Sequence, residues 1–305
     1  MTDHYDKLEI RDPAERERDL LAALPKQIAQ AQTAAPAFAK IFDGVKPADI
    51  TTREALARLP VTRKTELLEL QKQRRADDPF GGFSTIGRGT RMPRVFASPG
   101  TIYEPEGEAR DYWRTARALH AAGFRTGELI HNSFSYHMTP AGSIMESGAR
   151  AMGCTVFAGG TGQTEQQLEA MVDLKPEGYA GTPSFLKILL EKAEEKGLKL
   201  PSLTKALVSG EAFPPSLHDW IAAHGVKGTQ CYATADLGLI AYETSAREGL
   251  VIDEGVLVEI VRPGTGDPVP DGEVGEIVVT TFNPDYPLVR FGTGDLSAVL
   301  AGTCP

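Results

Sequence analysis

The spacing of apolar residues in the first part of the chain is typical of short amphipathic helices. Ala14–Gln32 carries leucine and isoleucine at helical spacing, and Pro25 within it is expected to kink or split that helix. Arg53–Leu59 and Arg63–Arg75 are predicted as two shorter helices. We therefore predict an N-terminal helical region over residues 1–92, which ends in a glycine-rich connector.

From about Arg94 the pattern changes to strands that alternate with helices. The predicted strands are Glu128–Asn132, Cys154–Ala158, Gly178–Gly181, Lys205–Ser209 and Lys227–Cys231, and the predicted helices are Glu106–Ala122, Ala141–Met152, Thr164–Leu174, residues 182–197 and Pro215–His224. Thr164 and Gln167 are expected to form a capping box, and Thr182 is expected to cap a helix that begins with Pro183. This alternation predicts an α/β fold with a doubly wound, largely parallel sheet.

After residue 238 the helical pattern disappears. Leu239–Thr244, Val256–Val261 and Gly275–Thr281 are strand candidates separated by turns rich in proline and glycine. They predict a C-terminal antiparallel β subdomain. The expected division is therefore a helical region, an α/β subdomain over residues 93–238, and a β subdomain over residues 239–305.

Two polar loops follow predicted strands of the parallel sheet. Ser209-Gly210-Glu211-Ala212 follows one, and the stretch from Tyr232 through Ala233 and Thr234 to Asp236 follows the next. Ligands of doubly wound sheets bind beyond the carboxyl ends of the strands. The second loop combines an aromatic face, a hydroxyl and a carboxylate that suits a hard cation such as Mg²⁺. The sequence therefore predicts a nucleotide site here.

Composition narrows the class of protein. The 305 residues have a formal charge of −9, with 41% hydrophobic and 24% charged residues, as in ordinary globular proteins. No basic face is visible, so we expect no nucleic-acid partner. There is no apolar run long enough for a membrane span and no secretory signal, and three scattered cysteines do not make a disulfide framework. We expect a cytoplasmic protein with no membrane partner.

The order of several motifs resembles the adenylate-forming acyl-CoA ligases, and most closely their phenylacetate-CoA ligase-like branch. The resemblance runs from Arg94 to Pro305 and rests on Ser209–Glu211, Tyr232–Asp236 and Arg290–Asp295 in that order, with support from residues 131–137, 181–185 and 283–295. It implies an acid–thiol ligase that uses ATP to convert a carboxylic acid into an acyl-adenylate. The acyl group then passes to coenzyme A as co-substrate.

The resemblance also implies roles for single residues. Asp295 would accept the ribose hydroxyls, and Tyr232 would pack on adenine with the backbone of Gly210, Glu211 and Ala212 at its other face. Asp236 stands where the family has a metal-ligating glutamate and would bind Mg²⁺. Ala235 stands where the family usually has Ser or Thr, which removes a phosphate donor. Ser209, Ala233 and Thr234 complete the expected cofactor-binding set.

The predicted phosphate loop departs from the family pattern. It is the stretch 97–105, which has one glycine and no lysine. Ser98, Gly100 and Thr101 could still donate to phosphate, whereas Glu104 would repel it unless it is turned away. On its own, a Ser-Pro-Gly-Thr sequence is most often a plain turn.

An acid pocket of aryl size is expected beside the first parallel strand. Phe134, Tyr136 and His137, together with Gly181 and Thr182, are the expected substrate-binding residues. His137 is also the one catalytic candidate, since it could hydrogen-bond the substrate carboxylate. The alternative is that Phe134 and Tyr136 belong to the hydrophobic core and that His137 is a hydrogen-bonded structural histidine.

Two further expectations concern what the sequence does not contain. Some relatives hold zinc through a Cys/His cluster, but Thr244 and Val251 stand near those positions here, so no zinc is predicted. The family's lid, with its catalytic lysine, would follow the Thr-Gly-Asp stretch, and the sequence stops at Pro305 before it. These 305 residues are therefore expected to bind nucleotide and acid but to turn over weakly or not at all.

Three functions remain open from the sequence. The first is the core of an ATP-dependent aryl-acid or acyl-CoA ligase. The second is a non-catalytic binding or scaffold protein that keeps the fold. The third is an adenylating enzyme that passes its acyl group to a carrier protein or an amine. The helical N-terminal region is compatible with a homodimer.

Overall fold

The computed structural model describes residues 4–300. Its α-helices are α1 Pro13–Ala34, α2 Pro36–Ile41, α3 Arg53–Ala57, α4 Lys64–Arg74, α5 Ala116–Ala121, α6 Ala141–Ala151, α7 Thr164–Leu174, α8 Pro183–Glu195 and α9 Pro215–Ala223. Its strands are β1 Thr62–Arg63, β2 Arg94–Ser98, β3 Ile102–Glu106, β4 Leu129–Asn132, β5 Thr155–Ala158, β6 Gly178–Gly181, β7 Lys205–Val208, β8 Lys227–Thr234, β9 Gly238–Tyr242, β10 Val251–Ile252, β11 Val256–Val261, β12 Gly275–Thr281 and β13 Phe291–Ser297.

The described chain forms two compact units. Unit I consists of residues 4–5 and 109–253, and unit II consists of residues 6–108 and 254–300. The domain limits expected from the sequence stay a prediction. No helix within the described residues is long and apolar enough to cross a membrane.

Unit I is built on a seven-stranded sheet in the order β10-β9-β8-β7-β6-β4-β5. Five neighbouring strands of this sheet, β8, β7, β6, β4 and β5, are parallel. Helices lie in the connections between them. From β4 the chain first adds β5 on one side and then adds β6, β7 and β8 on the other. The direction of winding therefore reverses between β4 and β6, which is the usual position of a ligand crevice. The predicted doubly wound parallel sheet is confirmed.

The first strand assigned to the β subdomain lies in a different sheet from the one expected. Leu239–Thr244 was predicted to belong to that subdomain, but β9 pairs antiparallel with β8 and extends the seven-stranded sheet of unit I. Only residues 235–237 separate the two strands, and so short a connection can only make a hairpin. The prediction of its sheet was wrong because hydrophobic alternation identifies a strand but not its partner.

The predicted helix Glu106–Ala122 was also too long. Glu106 closes β3, and α5 begins only at Ala116. Arg114 has a φ of 66°, which no α-helix accommodates, and the Asp111 carboxylate accepts a hydrogen bond of 3.1 Å from the Ala116 amide. Asp111 therefore satisfies a backbone donor near the start of α5, and the helix cannot extend upstream.

The predicted split of the first helix at Pro25 and the predicted capping box of α7 were wrong as well, whereas a kink at Pro25 stays a prediction. Pro25 does not divide α1, because Leu24 and Ile28 on the same face are fully buried and their packing offsets the lost backbone hydrogen bond. Thr164 begins α7, but no side chain caps that helix. The side-chain amide of Gln167 instead donates to the carbonyls of Gly160 and Gly162.

Unit II contains a four-stranded sheet in the order β1-β13-β12-β11 and a separate β2–β3 hairpin. β11 and β12 pair antiparallel with the bounds expected from the sequence, so those two strands are confirmed. β13, which contains the Thr-Gly-Asp stretch, pairs antiparallel with β12 and parallel with β1. Neither β1 nor β13 was predicted.

The contact between α5 and α6 in unit I leaves no space for a side chain at Gly148. A Cβ there would lie 2.4 Å from Thr115 Oγ1 and 2.5 Å from the Ala116 backbone nitrogen. We expect Gly148→Ala to lower the free energy of unfolding by about 1–3 kcal/mol, because the backbone of α5 would have to move. Urea denaturation measures this. Gly87→Ala is the control, since a Cβ at Gly87 meets nothing within 4 Å; similar losses for both variants would contradict the packing argument.

Candidate functional site

Three loops of unit I meet at the carboxyl edge of the sheet, beside the point where its winding reverses. Phe134 follows β4, Thr182 follows β6 and Gly210 follows β7. A Cβ at Gly210 would lie 3.7 Å from Thr182 Cγ2 and 3.8 Å from Phe134 Cε1. The fold therefore brings one member of the expected nucleotide set next to two members of the expected acid pocket.

The loop after β7 is held against the start of α8. Glu211 accepts a hydrogen bond of 2.6 Å from the Ser184 backbone amide, and Thr182 Oγ1 caps the same helix by accepting from the Phe185 amide. A carboxylate is favourable there because the amides at a helix start carry partial positive charge. Gly210 has a φ of 85°, and glycine adopts that conformation at little cost. Gly210, Glu211 and Ala212 are exposed, so their backbone can face a ligand.

A buried chain of hydroxyl groups lies under these loops. Ser133 Oγ donates to Tyr179 Oη at 2.6 Å, and Tyr179 Oη donates to the Thr182 carbonyl at 3.1 Å. Burial raises the pKa of Tyr179, so its hydroxyl stays neutral and can donate. A Cβ at Gly181 would lie 2.1 Å from Ser133 Oγ, which leaves glycine as the residue that fits. Sequence reasoning missed Ser133, which directly follows β4, and Tyr179, which lies in β6. Their only signal was a hydroxyl at or next to the end of a predicted strand.

The expected acid-pocket side chains differ in their surroundings. Phe134 is 8% exposed and belongs to the hydrophobic core of unit I. Tyr136 is half-buried, and its hydroxyl accepts a hydrogen bond of 2.8 Å from Asn132 Nδ2. His137 is exposed, and its backbone amide donates to Ser135 Oγ. The assignment of all three to substrate binding, and of His137 to catalysis, stays a prediction.

The second polar loop is the turn of the β8–β9 hairpin. Tyr232, Ala233 and Thr234 are half-buried at the end of β8, where the pairing with β9 shifts register. Thr234 Oγ1 accepts a hydrogen bond of 3.2 Å from the Leu237 amide, and Asp236 is 7% exposed. Asp236 therefore lies in a tight, ordered turn and not on a free loop.

Ser209 ties the ends of β7 and β8 together. Its hydroxyl donates to the Cys231 carbonyl at 2.8 Å, and the serine is 7% exposed. Ser209 therefore fixes the distance between the strand ends that carry the two polar loops. Its hydroxyl hydrogen is bonded within the protein and is not available to a ligand. Burial also raises the pKa of the Cys231 thiol to about 12, so this cysteine is not a nucleophile.

Unit II holds the expected phosphate loop at the turn of the β2–β3 hairpin. Ser98 is 3% exposed, and its hydroxyl donates to Glu104 Oε1 at 2.5 Å; Glu104 itself is 2% exposed. Gly100 and Thr101 are exposed at positive φ angles of 96° and 59°. Glu104 is thus turned inward, as a phosphate site would require. Its carboxylate, however, accepts the hydrogen bond of the Ser98 hydroxyl, which is then not available to a phosphate.

Asp295 lies in β13 of unit II, with its side chain exposed. Its backbone amide donates to Thr293 Oγ1 at 3.2 Å, and Thr293 Oγ1 donates to the Ile277 carbonyl of β12 at 3.1 Å. The strand and Thr293 therefore fix the backbone at Asp295. A carboxylate on a strand is a rigid acceptor, which suits a pair of neighbouring hydroxyls.

The donor set is compatible with magnesium that is bound together with a nucleotide. Mg²⁺ usually keeps several waters and binds through one or two carboxylates plus substrate phosphates, so Asp236 alone is a sufficient protein ligand. Within residues 4–300 no group of three or more His, Cys, Asp and Glu side chains could hold a metal ion. The ligand role of Asp236 stays a prediction.

Comparison with known proteins decides the family. Residues 114–283, more than half of the chain, match the family described as AMP-binding enzyme. The chain belongs to the AMP-binding enzyme family. The family expected from the motifs is confirmed. The matched residues contain the loops after β4, β6, β7 and β8, whereas Ser98 and Asp295 lie outside them.

Curated relatives are phenylacetate–coenzyme A ligases. The chain is 32% identical over 298 residues to that of Thermus thermophilus, covering 92% of this chain and 65% of the relative. It is 31% identical over 285 residues to that of Aromatoleum evansii, covering 88% of this chain and 63% of the relative. The chain thus spans less than two thirds of the length of these relatives.

Solved structures of a CoA ligase share the fold. A 2-hydroxyisobutyryl-CoA ligase in an open conformation, in complex with 2-HIB-AMP and CoA, matches with a TM-score of 0.85 at 25% identity, covering 93% of this chain and 65% of that chain. The same ligase in the thioesterification state matches with a TM-score of 0.88 at 24% identity, covering 97% and 66%. The predicted fold class is confirmed by this likeness.

Proposed function

We propose that this chain is the nucleotide- and acid-binding part of an ATP-dependent carboxylic acid–CoA ligase that acts through an acyl-adenylate, with an aryl acid of the phenylacetate type as substrate. The identity of 31–32% to phenylacetate–coenzyme A ligases over most of the chain carries the proposal. The meeting of three loops at the ligand crevice of unit I supports it.

In unit I, Tyr232 packs on adenine and the backbone of residues 210–212 borders its other face. Asp236 is the magnesium ligand. Magnesium, when bound, screens the negative charges of the ATP phosphates and the attacking carboxylate. The tight β8–β9 turn holds Asp236 in place before the nucleotide arrives, which lowers the cost of ordering the site on binding.

The acid binds beside Thr182 and Gly181, with Phe134 and Tyr136 as the apolar and amphipathic walls and His137 as a donor to the carboxylate. The buried chain from Ser133 through Tyr179 to the Thr182 carbonyl fixes the floor of this pocket. The acyl acceptor is coenzyme A, which is the acceptor of the phenylacetate–coenzyme A ligases to which the chain is similar.

A second function is favoured by one observation. The Ser98 hydroxyl is buried and bonded to Glu104, so it is not available to a phosphate. A protein that keeps the fold and binds nucleotide without catalysing adenylation would show this arrangement. Nucleotide binding and acid-dependent chemistry must therefore be measured separately.

Isothermal titration calorimetry on the 305-residue chain tests the first function directly. The ligands are a sulfamoyl-adenosine analogue that carries a phenylacetyl group, the same analogue with a butyryl group, and adenosine sulfamate without an acyl group. We expect saturable binding of all three, with the phenylacetyl analogue about tenfold tighter than the butyryl one, since an apolar pocket discriminates by about 1–3 kcal/mol.

The outcomes separate the two functions. Equal affinity for the three ligands would favour a nucleotide-binding protein without an acid pocket. If none of the three ligands bound, both functions would be contradicted. Acid-dependent exchange of labelled pyrophosphate into ATP by the same chain would establish adenylation. Its absence would not separate the two functions, since these 305 residues are expected to turn over weakly or not at all.

A further inference from the structure

Unit I contains a half-open surface pocket, called the cavity below, that the proposed function does not use. It has a volume of about 360 Å³, within the range of small-molecule sites, and lies among α9, the start of β8 and the segment that follows β9. Lys227 and Arg247 line it, together with His218 and three threonines. The cavity belongs entirely to unit I, so its shape depends on one compact body.

The cavity lies at the opposite edge of the sheet from the candidate nucleotide loops. Lys227 is the first residue of β8 and Thr204 immediately precedes β7, so both mark the amino ends of parallel strands. Thr234, at the other end of β8, is seven residues further along, or about 23 Å at the usual rise per residue. A ligand in this cavity would therefore be separate from one at the carboxyl edge.

Its charged lining favours an anion. Within residues 4–300 neither Lys227 nor Arg247 makes a side-chain hydrogen bond or ion pair. Arg262, by contrast, lies 3.6 Å from the Glu273 carboxylate. Glu243 also lines the cavity, but both of its oxygens accept hydrogen bonds of 3.3 Å from Gln230.

Its neutral lining offers several donors to one ligand. Thr229 and Thr244 contribute hydroxyls, whereas the Thr204 hydroxyl donates to the Glu177 carbonyl at 3.4 Å. His218, which is 7% exposed, lies in the wall formed by α9, with Nδ1 3.3 Å from Asp219 Oδ1. A phosphate group has three acceptor oxygens and a charge of about −1.5 to −2, so it can use a guanidinium, an ammonium and hydroxyls together, whereas a single carboxylate has two oxygens and one charge. The volume leaves room for a few carbon atoms besides the phosphate.

We propose that this cavity binds a small organic phosphate through Lys227 and Arg247. The test is calorimetry on the 305-residue chain with glycerol 3-phosphate as the probe, and with glycerol and malate as neutral and carboxylate comparisons. We expect a dissociation constant below about 1 mM for glycerol 3-phosphate, and no saturable binding of glycerol or malate in that range.

Substitution at the two cations locates the binding. Lys227→Gln/Arg247→Gln should weaken binding of glycerol 3-phosphate at least about tenfold, and each single variant about threefold or more. Lys199→Gln is the matched control, since Lys199 is an exposed cation of the same unit that does not line the cavity. Circular dichroism checks that each variant is folded, and the single variants decide the matter should the double variant not fold.

Four results would overturn the proposal. They are absence of saturable binding, unchanged affinity in the double and single variants, equal weakening by Lys199→Gln, and malate binding as tight as that of glycerol 3-phosphate. None of these depends on nucleotide or acid binding at the other edge of the sheet, so the proposal stands or fails independently of the ligase function.

Discussion

Arg290→Met is expected to lower the free energy of unfolding by about 3–5 kcal/mol, because it leaves a carboxylate buried without its cation. Arg290 is 1% exposed in unit II, and its guanidinium donates to Glu259 at 3.0 Å. It also donates to the carbonyls of Ala57, Leu59 and Gly266, so one side chain joins its own segment to two others, residues 57–59 and Gly266. Urea denaturation followed by circular dichroism measures the loss.

The loss should depend on pH in a defined direction. Burial raises the pKa of Glu259, and the neighbouring Arg290 opposes that effect, so removing Arg290 raises this pKa further. The folded variant then binds more protons than the unfolded chain at pH values above the ordinary carboxyl pKa, and its stability falls as pH rises through that range. The deficit of the variant should therefore be smaller at about pH 5 than at about pH 8.

Arg262→Met is the matched control. Arg262 lies 3.6 Å from Glu273, but the side chains are 62% and 47% exposed, so water screens the pair and the expected loss is about 0–1 kcal/mol. A loss of similar size in Arg262→Met and Arg290→Met would contradict the role of burial. A deficit that does not change between the two pH values would contradict the role assigned to Glu259.

The strands were predictable where hydrophobic alternation and turn residues agreed. β11 and β12 have the bounds read from the sequence, because each apolar run is closed by a proline- or glycine-rich turn. β1 was missed because it is defined by pairing between residues more than 200 positions apart, such as Thr62 with Phe291. Local pattern carries no information about such a partner. β13 was missed because its sequence, Phe-Gly-Thr-Gly-Asp-Leu-Ser, does not alternate apolar and polar residues.

The errors in the helices have a similar origin. Residues 106–122 have helical composition, but tertiary contacts hold Arg114 in a left-handed conformation, where its guanidinium donates to Asp253 at 2.8 Å. Pro25 has the opposite outcome, since burial of the neighbouring apolar face keeps α1 continuous. In both cases tertiary contacts determined the backbone conformation, and helix propensity alone does not predict such contacts.

The candidate site was predictable in part, because ligand crevices of doubly wound sheets have a fixed position. The loops after β6 and β7 could be assigned to that edge from strand order alone. The hydroxyl chain from Ser133 to Tyr179 could not be predicted, since the sequence does not reveal which groups these two side chains contact. The inward turn of Glu104 onto Ser98 likewise depends on pairing within the β2–β3 hairpin.

Asp295→Ala is expected to weaken AMP binding at least about 100-fold if the carboxylate accepts both ribose hydroxyls. Hydrogen bonds to a charged group contribute about 1.5–3 kcal/mol each, so two of them correspond to a factor of that size or larger. Asp295 is exposed on β13, and its backbone is fixed through Thr293, so alanine should not disturb the fold. Calorimetry with AMP measures the effect on the 305-residue chain.

The ribose itself provides the sharper measurement. The unmodified chain should bind AMP more tightly than 2′-deoxy-AMP or 3′-deoxy-AMP, whereas Asp295→Ala should bind all three about equally, because the acceptor of both hydroxyls is gone. Asp271→Ala, an exposed aspartate of the same unit, is the control for loss of one negative charge and should keep the preference for AMP. If Asp295→Ala still preferred AMP over both deoxy forms, another residue would recognise the ribose, and the role carried over to Asp295 from the family would be wrong.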